Sequence, residues 1–321
     1  MRATLPALTM GEPAGIGPEI AVAAWRAGRR FLFVGDPAVL RGVPVREVAS
    51  AAEVSDDAIP VLGVKLAAPA VPGRLDPANA RAVITSIEIA VRLAMAGEVG
   101  AVVTNPIQKS VLTRAGFVHP GHTEFLAALT GAAMPVMMLA CEELRVVPVT
   151  IHVSLRRAIE MLDADLILRT ARVTDAALRR DWGMARPRLA FTGLNPHAGE
   201  DATMGDEEER IIRPAIATLR EEGIEALGPF PADTLFTPAA RRRYDVALGM
   251  YHDQVLTPIK TLDMHGGVNV TLGLPIVRTS PDHGTALDIA GKGLADPGSV
   301  VASLDLAMDL ARRRVAAKIG A

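Results

Sequence analysis

Three histidines carry the first chemical signal in this chain. His152, His197 and His252 each stand at or just past the end of an apolar run that reads as a buried strand. Neutral imidazole is a good ligand for zinc and related divalent ions, and three such donors would leave coordination positions open for a substrate. The three are far apart in sequence and form no short metal motif. Each alone reads as a hydrogen-bonded strand-end residue; the shared placement of all three points to a site. The second signal is cationic. Lys260 and Arg278, with Asn269 between them, suit a phosphate or carboxylate, the arginine as a bidentate fork and the lysine as a point charge. His122-Thr123 precedes the apolar run 125–129, and Thr123 reads as the N-cap of a helix whose free N–H groups would favour a phosphate. The third signal is a glycine-punctuated loop, His283-Gly284-Thr285-Ala286 through Gly291-Lys292-Gly293.

These residues need elements to hold them. Short apolar runs at 5–9, 31–34, 101–103, 146–153, 189–194, 246–251 and 268–272 read as buried strands. Helical patterns follow Asp76-Pro77 up to Gly97, and cover 163–180, 207–221 and 300–319, with Asp206 and Glu209 placed as a capping box. Pro18 suits the first turn of a helix after the turn Gly11-Glu12-Pro13-Ala14-Gly15-Ile16-Gly17, whose glycines either bring N–H groups to an anion or only form a corner. Residues 40–75 are rich in Val, Ala and Pro and yield no assignment. Alternating strands and helices predict an α/β fold with a largely parallel sheet and right-handed crossovers. Open sheets of that kind bind ligands at the C-terminal ends of their strands, where the three histidines fall.

Bulk composition narrows the function. A length of 321 residues predicts roughly two domains. A formal charge of −2 gives no bulk attraction to nucleic acid. The single cysteine, Cys141, excludes an internal disulfide and a cysteine zinc cluster, and reads as a small buried hydrophobe. The N-terminal stretch MRATLPALTMGEPAG lacks an apolar signal core, and no run approaches the roughly 18 apolar residues of a membrane helix. A soluble cytoplasmic protein is expected.

The motifs MGEPAGIGPE, TNPIQKSVL, GHTEF, EELRVVPVTIH, GLNPHAGE, MGDEE, GPFPADTLF, YHDQ, GVNVTLGLPIVRTS and DHGTALDIAGKG occur in that order from Gly11 to about Pro297. In that order the chain closely resembles the 4-hydroxythreonine-4-phosphate dehydrogenases of vitamin B6 synthesis. The resemblance implies NAD-dependent oxidation of the substrate's secondary alcohol to a β-keto acid, which loses CO₂ to give 3-amino-2-oxopropyl phosphate. It implies a divalent metal (zinc, magnesium or cobalt) on His152, His197 and His252, and substrate contacts from His122, Thr123, Lys260, Asn269 and Arg278, with Lys260 also serving catalysis. It implies a homodimer in which the partner subunit supplies the third histidine, His252. A Lewis-acidic ion there would favour loss of hydride next to the substrate hydroxyl.

The segment PDHGTALDIAGKGLADP is also similar to the cofactor loop of isopropylmalate and isocitrate dehydrogenases. That likeness implies a two-domain α/β/α fold with a non-Rossmann nucleotide site, which accounts for the missing GxGxxG. It implies a discontinuous nucleotide-binding domain, 1–125 plus 265–321, a metal and dimerisation domain, 126–264, and an active site in the cleft between them. His283, Gly284, Thr285 and Ala286 would lie along the adenosine and Asp288 beside its ribose, where a carboxylate would disfavour the 2′-phosphate of NADP. The competing readings are a related dehydrogenase acting on a threonate or erythronate phosphate or an aromatic cis-dihydrodiol carboxylate, and, from another class, a metal-dependent acyl- or phosphotransferase, which would have no need of the cofactor loop.

Overall fold

The computed structural model describes residues 4–319 except 55 and 120. The chain divides into two compact units, one running to Pro135 and resuming at Val268, the other spanning Val136–Gly267. The described strands, in chain order, are β1 Pro6–Thr9, β2 Leu32–Gly35, β3 Val45–Glu47, β4 Ile59–Gly63, β5 Ala101–Val103, β6 Val136–Ala140, β7 Arg145–Thr150, β8 Arg188–Thr192, β9 Glu225–Phe230, β10 Val246–Tyr251, β11 Val268–Leu272 and β12 Arg278–Pro281.

In the first unit the order is β3-β4-β2-β1-β5-β12-β11. All neighbours run parallel except β11 against β12, where Asn269 faces Ser280. The central strands are buried on both faces, which is why they read as unbroken apolar runs rather than alternating ones. The helix Ala80–Met95 covers one face through Val83, Ile87 and Val91. A short 3-10 turn, Pro77–Asn79, precedes it, capped by the Asp76 carboxylate. Its apolar face is narrower than its sequence suggests, since Met95 is 50% exposed. Ser86 sits in that interface: its hydroxyl donates to Val34 O at 2.6 Å and accepts from Met10 N at 3.0 Å.

In the second unit the order is β6-β7-β10-β8-β9, parallel except for the β6–β7 hairpin. The helix His252–Leu262 packs Val255, Leu256 and Ile259 on a core of Leu139, Val146, Ala190 and Ala247. Cys141 is half-buried at the edge of that core rather than inside it, and burial pushes its thiol up. The helix Ala164–Trp182 is capped by Asp163, which accepts from Leu166 N at 2.7 Å. The expected capping box at Asp206 and Glu209 does not form. Asp206 pairs with Arg210 and Glu209 with Arg213, and a π-turn, Glu208–Ile212, leads into the helix Arg213–Glu221. Both carboxylates find an arginine four residues on, a charged partner that outcompetes a backbone N–H.

Candidate functional site

Arg278 is the most unusual residue of the first unit. It opens β12 and is 4% exposed. Its Nη1 donates to Thr271 Oγ1 at 2.8 Å and its Nη2 to Thr104 Oγ1 at 2.6 Å, while Nε is buried without a partner. Among the described residues no carboxylate pairs with it. Burial alone therefore acts on its charge and pushes the guanidinium down to about 10. Burying an unpaired cation is costly, and a protein that keeps one has an anion in prospect.

His122 stands beside it. The residue is half-buried as a whole, but its Nε2 is fully buried and unpartnered. Burial, then the positive charges of Arg278 and Lys109, hold its imidazole well below the ordinary 6.5. His122 is the first residue of the helix His122–Thr130, and the N-cap is Gly121, not Thr123. Thr123 lies in the first turn without a capping bond. A Cβ at Gly121 would stand 3.3 Å from Glu124 Oε2 and 3.4 Å from Lys109 Nζ, so both charged side chains reach this N-cap. Sequence reasoning passed over Lys109, Thr104 and Thr271. The signal for Lys109 was present, since TNPIQK follows β5 at its C-terminal end.

The depressed His122 gives a pH dependence with a definite sign. The folded chain keeps this imidazole neutral where the unfolded chain protonates it. Its contribution to stability is present above the ordinary value of 6.5 and is lost as pH falls from there toward the depressed folded value. We expect Tm of the ligand-free protein to fall between about pH 6.5 and 5, and to fall less in His122→Asn. Parallel Tm–pH curves for the two proteins would contradict the assignment.

The loop after β12 is fixed to two other segments of the same unit. Thr285 Oγ1 donates to Gln108 Oε1 at 3.0 Å, and Thr285 O accepts from Ile16 N at 3.0 Å. Gly291 N donates to Glu19 Oε2 at 3.0 Å. Ala286 adopts a left-handed backbone, φ 40°, a strain that persists only where surroundings enforce it. His283 Nε2 is buried without a partner, a Cβ at Gly284 would meet only open space, and Asp288 is exposed. A fixed loop with an orphaned imidazole nitrogen, an open glycine and an exposed carboxylate fits a polyhydroxylated ligand such as a nucleotide. The turn from Gly11 to Gly17 is not an anion cradle: the N–H groups of Glu12, Ala14, Gly15 and Ile16 donate to Pro106 O, Glu12 Oε1, Glu12 O and Thr285 O. Its glycines serve close approach instead. Gly11 has φ 69°, and a Cβ there would lie 2.7 Å from both Asn105 Cβ and Pro106 O.

The three histidines and Lys260 belong to the second unit. β7 and β10 are adjacent and parallel, with Tyr251 beside Thr150, so their ends bring His152 and His252 together. The ring centroids are 5.8 Å apart at the rim of a cavity of about 320 Å³. β7 stops at Thr150, short of the expected strand, and His152 lies beyond it with a left-handed backbone, φ 53°. His252 begins the helix His252–Leu262, and its Nδ1 lies 2.6 Å from Asp253 Oδ1. Gln254 anchors that start by donating to Gly193 O and accepting from Thr192 Oγ1 and Met250 N. Lys260 lies half-buried in the last turn of the same helix.

His197 is in a 3-10 turn, Pro196–Gly199, also left-handed at φ 54°. Ala198, Glu200, Asp201 and Ala202 share that conformation. The buried Glu208 clamps the turn, accepting from Leu194 N, Asn195 N and Asn195 Nδ2 at 2.7–2.9 Å. Among the described residues no three histidine, cysteine or acidic side chains converge as a metal-ligand set. One chain thus presents a histidine pair, with His197 held apart on strained backbone. Nitrogen donors of this kind fit zinc or cobalt better than magnesium.

Residues 28–307 match the family model described as pyridoxal phosphate biosynthetic protein PdxA. A 4-hydroxythreonine-4-phosphate dehydrogenase of Methylorubrum populi is 56% identical, over 96% of this chain and 94% of its own. The crystal structure of the enzyme of the same name from Klebsiella pneumoniae superposes with a TM-score of 0.89 at 41% identity, covering 96% of this chain and 99% of its own. A terephthalate 1,2-cis-dihydrodiol dehydrogenase from Burkholderia xenovorans is less similar, at TM-score 0.66 and 33% identity, covering 95% and 97%.

Proposed function

The chain belongs to the PdxA family, a dehydrogenase family of pyridoxal phosphate biosynthesis, and we propose that it oxidises 4-hydroxythreonine 4-phosphate with NAD at a divalent metal site. One observation carries the substrate's phosphate: Arg278, buried without a counter-charge, beside the orphaned Nε2 of His122. An oxyanion there supplies what both groups lack. Lys109, Thr123, Asn269 and Lys260 complete the substrate contacts. Binding energy gained at the phosphate, away from the reacting carbon, can hold that carbon in register with the cofactor.

His152, His197 and His252 would hold the metal, which when bound supplies Lewis acidity to the substrate alcohol. With NAD bound as hydride acceptor, the secondary alcohol would become the keto group of a β-keto acid, which loses CO₂ to leave 3-amino-2-oxopropyl phosphate. Lys260 would serve as the cation facing the substrate's developing negative charge. His283, Gly284, Thr285, Ala286 and Asp288 hold the adenosine end, and the exposed Asp288 carboxylate favours NAD over NADP by repelling a 2′-phosphate.

A homodimer would complete the metal site, the partner subunit supplying the third histidine, His252. Beside His152 the helix Leu155–Met161 leaves Leu155 56% and Ile159 43% exposed. Those residues make an apolar surface suited to a second copy. Among the described residues no helix is long and apolar enough to cross a membrane.

The test is reduced-nicotinamide formation across a panel: the phosphorylated substrate, the phosphate-free 4-hydroxythreonine and an aromatic cis-dihydrodiol carboxylate, each with NAD and NADP, with and without chelator. We expect chelator-sensitive turnover of the phosphorylated substrate, a preference for NAD, and a narrower preference in Asp288→Ala. Equal turnover of the dihydrodiol would transfer the assignment to that branch of the family, and an unchanged cofactor ratio in Asp288→Ala would remove Asp288 from the ribose.

A further inference from the structure

Glu12 is a buried acid that none of the roles above uses. It is 3% exposed and lies in the turn between β1 and the helix Gly17–Arg26. One carboxylate oxygen, Oε1, accepts from Ala14 N at 3.1 Å. The other oxygen, Oε2, takes no hydrogen bond from the described residues and is not closed off from solvent. Burial raises the carboxyl above the usual carboxylate range, against a smaller lowering by the Ala14 N–H. A largely buried carboxylate with one oxygen still open to a ligand or water is poorly explained as a turn-former, because an amide or a serine would hold Ala14 N as well.

Its position suggests what meets that oxygen. Glu12 N donates to Pro106 O at 2.8 Å, two residues beyond Thr104, which holds Arg278. On its other side Gly15 N donates to Glu12 O, and Ile16 N to Thr285 O in the cofactor loop. Gln108, on the Pro106 segment, closes the triangle by accepting from Thr285 Oγ1. Glu12 is therefore placed where the anion-binding segment and the cofactor loop are bonded to one another. A negative group there is the wrong charge for a phosphate and the right charge for the oxidised nicotinamide ring, which is cationic and carries a carboxamide N–H donor.

We propose that Glu12 is a cofactor-binding residue whose free carboxylate oxygen receives the carboxamide N–H of the oxidised nicotinamide and favours the cationic ring over the neutral reduced one. The inference rests on the dehydrogenase reading above. Charge selectivity of this kind separates the two redox forms of one ligand, which a structural role in the turn does not do.

The experiment measures Kd for NAD⁺ and for NADH separately, by calorimetry, on the full chain and on Glu12→Gln. The amide keeps the shape and the acceptor for Ala14 N but removes the charge. The expected result is NAD⁺ binding weakened about tenfold with NADH nearly unchanged, the order of one charge-assisted hydrogen bond. A second measurement needs no variant: the 3-acetylpyridine analogue of NAD⁺, which keeps the charge and lacks the carboxamide N–H, should bind the wild type more weakly than NAD⁺. Equal weakening of both redox forms in Glu12→Gln, no weakening at all, or an analogue that binds as well as NAD⁺ would overturn the inference while leaving the dehydrogenase reading standing. A wild type that binds neither NAD⁺ nor NADH would bring down both.

Discussion

Arg278→Met should cost the enzyme most of its substrate recognition and cost the fold little or nothing. The guanidinium is buried against two threonine hydroxyls, with no carboxylate of the described residues beside it, so the ligand-free protein carries its desolvation penalty uncompensated. Methionine matches the length of the side chain and removes the charge, and apolar replacements of buried ionic groups are often neutral or stabilising. The two threonines lose a donor, but a hydroxyl can turn to donate elsewhere. Binding should respond in the opposite direction. Charge-assisted hydrogen bonds contribute about 1.5–3 kcal/mol each, and every ~1.4 kcal/mol is tenfold, so two lost contacts to a phosphate predict a fall in kcat/KM of about a hundredfold or more. The fall should be large for the phosphorylated substrate and small for its phosphate-free analogue. Steady-state kinetics with both substrates, paired with Tm in the absence of ligand, reads the two effects separately. A protein that loses several degrees of Tm while keeping its discrimination for phosphate would show that Arg278 is a structural residue.

That opposition between stability and recognition marks the limit of what the sequence conveyed. The strands β1, β2, β5, β10 and β11 are legible as short apolar runs because parallel strands are buried on both faces. β3 is not, being fully exposed, and β4 carries Pro60 and β9 the Gly228-Pro229 step, which disguise them. The expected strands through His152 and through Leu194 ran too long: His152 turns left-handed just past β7, and past β8 the N–H groups of Leu194 and Asn195 donate to the Glu208 carboxylate, neither of which an apolar pattern reveals. At the candidate site, residue types suggested Arg278 and His122, but their meaning depends on contacts at long separation. Thr104 is 174 residues from Arg278 along the chain. Nothing local to either residue tells that the arginine lacks a carboxylate or that the histidine is held neutral. The same holds for the turn at Gly11, whose glycines are explained by Asn105, Pro106 and Thr285 rather than by a ligand.

The histidine pair leads to a second large effect. His152→Ala and His252→Ala should each abolish metal-dependent turnover, because a site reduced to two donors binds a divalent ion weakly. Their mixture decides how the site is built. If the partner subunit's His252 completes the site, a heterodimer of the two variants has one intact site and one doubly damaged one. Free exchange of equal amounts makes half the dimers mixed, so about a quarter of wild-type activity and of bound metal should return. If instead the two rings that stand 5.8 Å apart within one chain bind the same ion, every site in the mixture lacks a ligand and nothing returns. The two arrangements share the same residues and the same family resemblance, and differ only in which copy of β10 faces which copy of β7. Metal content measured after demonstrated subunit exchange separates them without relying on turnover. Recovery would assign the exposed Leu155–Met161 surface to the dimer, since a shared site requires the two copies to meet beside His152. No recovery of metal would make the site intramolecular, and the reason for His197's strained turn would then have to be sought within its own chain.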